Sequence, residues 1–323
     1  MIRSFSTKDR IHNIFGASNA SAIQEEFSRQ ATNFEQGWEK RSLKTTSDIM
    51  DFVWNNMSAH VVPNINGHVR ALDVACGTGI FARKLVQSLG RNATVTGLDI
   101  TPAMLSRAKD AVKSSEYKSE FSFVQGDAAA MRAFDSETFD LVATRLSVHH
   151  FADPHIQMAE MTRVCKPGGL VVIVDIVSSD DPETARVHNE LETLRDPSHT
   201  RALNPSELVT LMAQSGLEVV STAAPNALIA CIAAGPQSAK TVRLPYLDNT
   251  MRLREWMSST NTAPDARAII ELAMQRELSN EPGFATGMRP FLAAPVNLSA
   301  GTEQSGDLFF VHRYVVCVAK KRH

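Results

Sequence analysis

Between residues 69 and 177 the hydrophobic pattern alternates between two periods. Short apolar runs rich in β-branched residues recur at Leu72–Val74, Thr94–Thr96, Phe123–Gln125, Phe139–Arg145 and Leu170–Ile176. Between them apolar residues return every three or four positions, as in Phe81-Ala82-Arg83-Lys84-Leu85-Val86. Buried strands separated by amphipathic helices predict right-handed crossovers and a parallel sheet. Upstream, Ile23, Phe27, Ala31 and Phe34, then Ile49, Phe52, Val53 and Met57, have helical spacing. Residues 19–62 are therefore expected to be helical, packing on the sheet and covering the mouth of its site. Downstream the pattern predicts helices over 183–194, 205–216 and 264–278, a strand at Leu217–Ser221 and a final strand at Leu308–Val318. Residues 224–250 carry few signals, being broken by Pro225, Gly235, Pro236 and Pro245, and 281–306 read as loop.

The first strand runs into Ala75-Cys76-Gly77-Thr78-Gly79, and Asp99 closes the second strand, twenty residues past Gly79. Glycines here let a ligand approach the backbone, the following helix presents unpaired N–H groups, and the second acid can accept two ribose hydroxyls. Gly77-x-Gly79-x-x-Ala82 alone fits a nicotinamide or flavin cofactor as well as S-adenosylmethionine. Three features separate them. Asp73 precedes the glycines, where a carboxylate opposes a pyrophosphate but suits an ammonium and a sulfonium. Gly126-Asp127 ends the third strand, where Asp127 can accept from an adenine amino group. Lys166-Pro167-Gly168-Gly169 precedes strand five.

In this order the motifs resemble the class I S-adenosylmethionine-dependent methyltransferases over about residues 70–177. His149-His150-Phe151-Ala152-Asp153-Pro154, Arg195-Asp196-Pro197-Ser198-His199, Asn204–Gly216 and Leu253-Arg254-Glu255-Trp256 are similar to the ubiquinone/menaquinone C-methyltransferase (UbiE-type) branch. The resemblance implies an α/β fold. It would be a Rossmann-like doubly wound sheet of seven strands, mostly parallel with the last antiparallel, carrying an N-terminal helical lid and a helical cap inserted before the final strand. It divides the chain into a flexible segment (1–18), a lid (19–62), a core (63–223), an insertion or substrate cap (224–306), and a final strand with a basic tail (307–323). It implies S-adenosylmethionine contacts from Asp73, Ala75, Cys76, Gly77, Thr78, Gly79, Asp99, Ile100, Met104, Gly126, Asp127, Ala128 and Arg145. Two departures stand out. Ala75 replaces the family's first glycine and should fit if the backbone stays extended there. Phe34 replaces the branch's usual tyrosine.

Methyl transfer needs positioning more than a shared catalytic group. Candidates for proton removal or acceptor binding are His150, with His149 beside it, and Arg195, Asp196 and His199 on a proline-stiffened turn expected to stand over the pocket. In an extended segment the two adjacent histidines cannot both point inward. The acceptor is expected to be a small aromatic or quinone-like molecule.

The 323 residues are 43% hydrophobic and 21% charged, which suits a globular fold, and the net charge of −2 gives no broad basic face for nucleic acid. Strand four leads into Thr144-Arg145-Leu146-Ser147 rather than the Asn/Asp-Pro-Pro-Tyr/Phe of base-amino methyltransferases. An RNA methyltransferase and a catalytically silent S-adenosylmethionine-binding assembly module are the alternatives. Cysteines 76, 165, 231 and 317 have no metal-ligand or disulfide spacing; no metal site and a reducing compartment are expected. The start, Met1–Lys8, is basic, hydroxyl-rich and free of acids, so the compartment expected is the cytoplasm or the mitochondrial matrix. No apolar run reaches membrane-spanning length.

Overall fold

The computed structural model describes residues 19–31, 45–64, 67–116, 120–220, 228–232, 239–243, 246–260, 262–282, 284–292 and 307–322. The segments 1–18 and 32–44, with the expected targeting stretch and Phe34, lie outside the described residues. Two N-terminal helices, α1 (Asn19–Gln30) and α2 (Thr46–Asn64), precede the alternating core. There β1 (Val69–Val74), α3 (Ile80–Leu89), β2 (Ala93–Asp99), α4 (Pro102–Val112), β3 (Phe121–Gln125), β4 (Phe139–Arg145), α5 (Pro154–Val164) and β5 (Cys165–Ile176) follow in order. β1 pairs in parallel with β2 and β4, β3 extends the sheet beyond β2, and β5 extends it beyond β4. The strand order thus reverses beside β1, and the strand ends around it open a crevice at their carboxyl edge.

Alternation along the strands divides the interior into two cores. Leu72, Val74, Val171 and Ile173 face Met158 and Met161 of α5 and Val209 and Met212 of α7 (Pro205–Gln214). Ala71, Val172 and Val174 face Ile49, Val53 and Met57 of α2 and Phe81 and Leu85 of α3. A strand buried on both faces reads as a continuous apolar run, which is why β5 is so plain in the sequence.

The C-terminal part is richer than a helical cap. α6 (Pro182–Arg195) and α7 lead to β6 (Leu217–Val220), then to a hairpin of β7 (Leu228–Ile232) and β8 (Ala239–Arg243). β9 (Tyr246–Arg252), α8 (Leu253–Ser258), α9 (Pro264–Leu278) and β10 (Phe291–Leu292) precede the long β11 (Leu308–Lys321). β11 lies antiparallel to β5 through Tyr314–Lys320 and carries β6 on its other edge. Its first half, Phe309–Val315, pairs with β9. The final strand therefore belongs to both the core sheet and the insertion. The expectation of a purely helical cap is corrected on this point. The missed strand β9 reads Tyr-Leu-Asp-Asn-Thr-Met-Arg, whose inward Asn249 breaks the apolar alternation; its amide stands 3.5 Å from the Tyr314 hydroxyl.

A third core sits inside this insertion, where Leu191, Met251, Trp256, Ile270, Met274 and Phe310 meet. Trp256 is 1% exposed, 4.7 Å from the Phe310 ring, with the Arg195 guanidinium 4.8 Å over its face. Trp256→Ala should destabilise the protein by about 3–5 kcal/mol, as a lost buried aromatic leaves a cavity. Urea unfolding of parent and variant measures it; a loss under about 1 kcal/mol would mean that this core is not part of the cooperative fold.

Candidate functional site

A cavity of about 600 Å³ opens at the carboxyl ends of the strands. That volume lies within the roughly 300–1,000 Å³ of small-ligand clefts. One side is lined by Asp73, Ala75, Cys76, Gly77, Thr78, Asp99, Ile100, Met104, Gly126, Asp127 and Ala128, with Arg145 joining from β4. Of the expected cofactor set only Gly79 is outside the lining; with φ 76° it caps α3 one residue behind the wall. The other side, formed by Ile23 and Phe27 of α1 with Leu146, Phe151 and Ile156, is largely apolar. α1 is held there by a hydrogen bond from Gln24 Nε2 to the Ile100 carbonyl, 2.8 Å.

The acids on the first side build the turns they sit beside. Asp73 Oδ2 accepts from the Ala82 N–H in the first turn of α3, at 3.0 Å. Asp99 accepts from Gly77 N and from Thr101 N, both at 2.8 Å, and so ties the glycine turn to the start of α4. Each carboxylate oxygen keeps a second lone pair for a ligand. Burial pushes the Asp73 carboxyl up to about 7, against the opposing pull of Arg145 and the Ala82 N–H. Burial also raises Asp99, opposed by its backbone donors. Asp127 is exposed at the rim, where it accepts from Ala129 N. Thr78 Oγ1 is buried in the wall with no hydrogen-bond partner.

At Ala75 the backbone is not extended. Its φ is 54°, in the left-handed region where a side chain costs about 1–2 kcal/mol. The next two residues are pinned, Cys76 N to the Leu98 carbonyl at 3.0 Å and Gly77 N to Asp99, and the strain of the turn falls on an alanine. Leu146, with φ 55°, is a second such residue in the cavity wall. Its N–H is bound to the Val174 carbonyl at 2.7 Å, which fixes the turn after β4.

His149 and His150 lie in a single 3-10 turn, Val148–His150, rather than an extended segment. The turn places both rings inside, with centroids 4.2 Å apart. Only His150 reaches the cavity wall. His149 is turned to Asp175 of β5, Nδ1 to Oδ1 2.5 Å, and Asp175 also accepts from the His149 backbone. Burial disfavours the charged His149 ring, but the Asp175 carboxylate outweighs it and the pKa is raised. For His150, burial and then the neighbouring His149 charge push the pKa down to about 4. His150 Nδ1 stands 3.0 Å from the Ser198 carbonyl. A carbonyl only accepts, so Nδ1 carries the proton and Nε2 the lone pair. The Phe27 ring meets His150 edge-on at 5.1 Å.

The turn after α6 does not stand over the pocket; none of Arg195, Asp196 and His199 lines the cavity. Arg195 Nε binds Glu192 at 2.9 Å. Asp196 Oδ1 accepts from Ser198 N and Oγ, at 2.9 and 2.6 Å. His199 Nε2 donates to Asn189 Oδ1 at 2.9 Å. This turn is a buried brace behind His150. Sequence reading missed Asp175, although an acid inside the apolar run Leu170–Ile176 was itself a signal.

Residues 72–173 match the methyltransferase domain family. The chain is 26% identical over 184 residues to a demethylmenaquinone methyltransferase of Desulfitobacterium hafniense, covering 56% of this chain and 66% of that protein. It is 36% identical over 112 residues to the Bacillus pumilus demethylmenaquinone methyltransferase, covering 35% and 47%. A Bacillus halodurans crystal structure assigned to a methyltransferase superposes with a TM-score of 0.63 at 21% identity, covering 84% of this chain and 99% of that one. The chain thus carries a class I S-adenosylmethionine-dependent methyltransferase domain. Within that class it resembles the UbiE-type branch, and it spans about half to two thirds of the length of the curated relatives it matches.

The strain at Ala75 makes a direct expectation. Ala75→Gly should leave thermal stability unchanged or raise it by up to about 1 kcal/mol, whereas Ala75→Val should cost about 1–3 kcal/mol. Differential scanning calorimetry of the two variants decides; a clearly destabilised glycine variant would rule out the left-handed turn.

Proposed function

We propose that the protein is a methyltransferase that uses S-adenosylmethionine to methylate a carbon of a small, electron-rich aromatic or quinol-type acceptor. The acidic side of the cavity suits the cofactor: Asp73 for its ammonium and sulfonium charge, Asp99 for its ribose hydroxyls, Asp127 for its adenine amino group, and the unpartnered Thr78 hydroxyl for a polar end group. Bound there, S-adenosylmethionine would supply an activated methyl group and leave as a neutral thioether. The apolar side, walled by Phe27 of α1 with Leu146, Phe151 and Ile156, suits a ring.

His150 carries the choice of acceptor atom. A histidine held at about 4 is neutral near pH 7, yet too weak a base to ionise a phenol of pKa about 10 before transfer. It is strong enough to collect the proton of a ring carbon that has just gained a methyl cation, because that carbon is a strong acid. With the methyl group supplied by the cofactor and its sulfur leaving as the thioether, His150 would take the displaced ring proton at Nε2. Ser198 fixes the tautomer, and Asp196 fixes Ser198. The demethylmenaquinone methyltransferase relatives support an acceptor of this class.

Calorimetric titration with S-adenosylmethionine, S-adenosylhomocysteine and NADH tests the cofactor, and turnover with hydroquinones and naphthoquinols tests the acceptor. Binding of the two adenosyl sulfur compounds but not NADH, with methylated carbon in the product, is the expected result. Binding with no turnover on any acceptor would favour a silent module. His150→Ala should lower turnover at least tenfold while cofactor affinity stays within twofold; equal rates would remove His150 from the chemistry.

Affinity for the cofactor should depend on pH through Asp73. In the free protein its carboxyl is protonated below about 7 and a cationic ligand requires it ionised, so binding releases a proton and weakens as pH falls. S-Adenosylmethionine should bind about tenfold more weakly at pH 6 than at pH 7.5. Asp73→Asn should flatten the profile. A parent profile that is already flat would show that Asp73 does not face the cationic end.

A further inference from the structure

Outside the cavity the described residues gather a second set of ligating side chains. α6 places His188 and Glu192 four residues apart on one face, and β11 brings His312 against them. The three are 3%, 0% and 4% exposed, and one ligand atom from each lies within 4.8 Å of the others. Glu192 Oε1 is 2.6 Å from His312 Nε2 and 3.9 Å from His188 Nε2. The two imidazoles are nearly parallel, 12° between planes and 6.1 Å between centroids.

His188 is the independent sign that something belongs there. Neither of its ring nitrogens has a hydrogen-bond partner, although the ring is buried. A buried imidazole without partners has lost its water and gained nothing in return. The second oxygen of Glu192 is already fixed by Arg195 at 2.9 Å, which leaves Oε1 to serve as a single oriented donor. Arg195 in turn lies 3.7 Å from Asp196, so its charge is not left to oppose a cation alone. Trp256 and Phe310 stand edge-on to His312 at 5.6 and 4.9 Å and give the group an apolar collar.

We propose that His188, Glu192 and His312 bind a divalent transition-metal ion of the zinc type, which clamps α6 to β11. Two imidazoles and one carboxylate suit a borderline cation, whereas magnesium and calcium take oxygen ligands. Donors about 2.1 Å from a tetrahedral ion stand roughly 3.4 Å apart. The observed spacings need adjustments on the order of an ångström to reach that. The site is separate from the cofactor cavity and does not depend on methyl transfer.

The full-length chain, stripped of metal by a chelator, is titrated with zinc chloride by calorimetry beside His188→Ala and His312→Ala. One zinc per chain is expected, with affinity at least tenfold weaker in each variant and a rise in Tm on zinc addition only in the parent. Cobalt(II) in place of zinc should give a ligand-field spectrum without a thiolate charge-transfer band. No stoichiometric zinc uptake, or equal uptake by parent and both variants, overturns the proposal. So does a thiolate band, which would place the ion on cysteine. Should the alanine variants fail to fold, His188→Gln replaces them and the parent's cobalt spectrum decides.

Discussion

Carboxylates buried at the ends of parallel strands must be hydrogen-bonded, and much of this architecture follows from three of them. Asp73 and Asp175 are the next-to-last residues of β1 and β5, and Asp99 ends β2, all nearly inaccessible to water. Removing such a group from water costs several kcal/mol unless donors replace the solvent. Each finds them in the turn or helix start at its own edge. Asp73 takes an N–H from the first turn of α3, Asp99 takes one from the glycine turn and one from the start of α4, and Asp175 takes the backbone and ring of His149. The first two acids line the cavity. The third decides which way the histidine turn faces.

That third acid also separates the roles of two adjacent, equally buried histidines. Asp175 stabilises a proton on His149, and the resulting charge disfavours one on His150. Two like groups in one turn thus have their pKa values shifted in opposite directions. His149 has no place in the wall of the cavity, yet its charge adds to burial, the larger cause, in holding the His150 pKa down.

Elements with strong periodicity were legible in the sequence, because their buried positions recur with the period of a strand or a helix. β1, β4, β5 and α9 fall within a few residues of their expected bounds. The acids around the glycine turn were legible because each sits at a fixed offset from it, Asp73 just before the turn and Asp99 at the end of the next strand. What could not be read depended on how each residue is seated against its neighbours in space. β9 is a strand because β11 lies beside it, although Asn249 spoils its pattern. Ala75 was expected to be extended and turns left-handed, just ahead of the Gly77 N–H that Asp99 binds. Arg195, Asp196 and His199 carry chemically capable groups, but Glu192, Ser198 and Asn189 engage them behind the wall.

The brace behind His150 explains why the insertion cannot be an independent addition. Glu192 meets His312 on the final strand and Arg195 on its own helix. Arg195 lies over Trp256, the centre of the insertion's core. Asp196 holds Ser198, and Ser198 holds His150. Every member is buried or nearly so, and removing one partner from a buried charged pair costs about 3–5 kcal/mol, because the other charge is left unpaired. A displacement of the insertion would therefore have to break this chain or carry His150 with it. The long β11, shared between core sheet and insertion, makes the same connection through backbone. The orientation of His150 and the seating of the insertion are coupled, so changes in the insertion's core should reach the cavity through His150 before they reach Asp73 and Asp99.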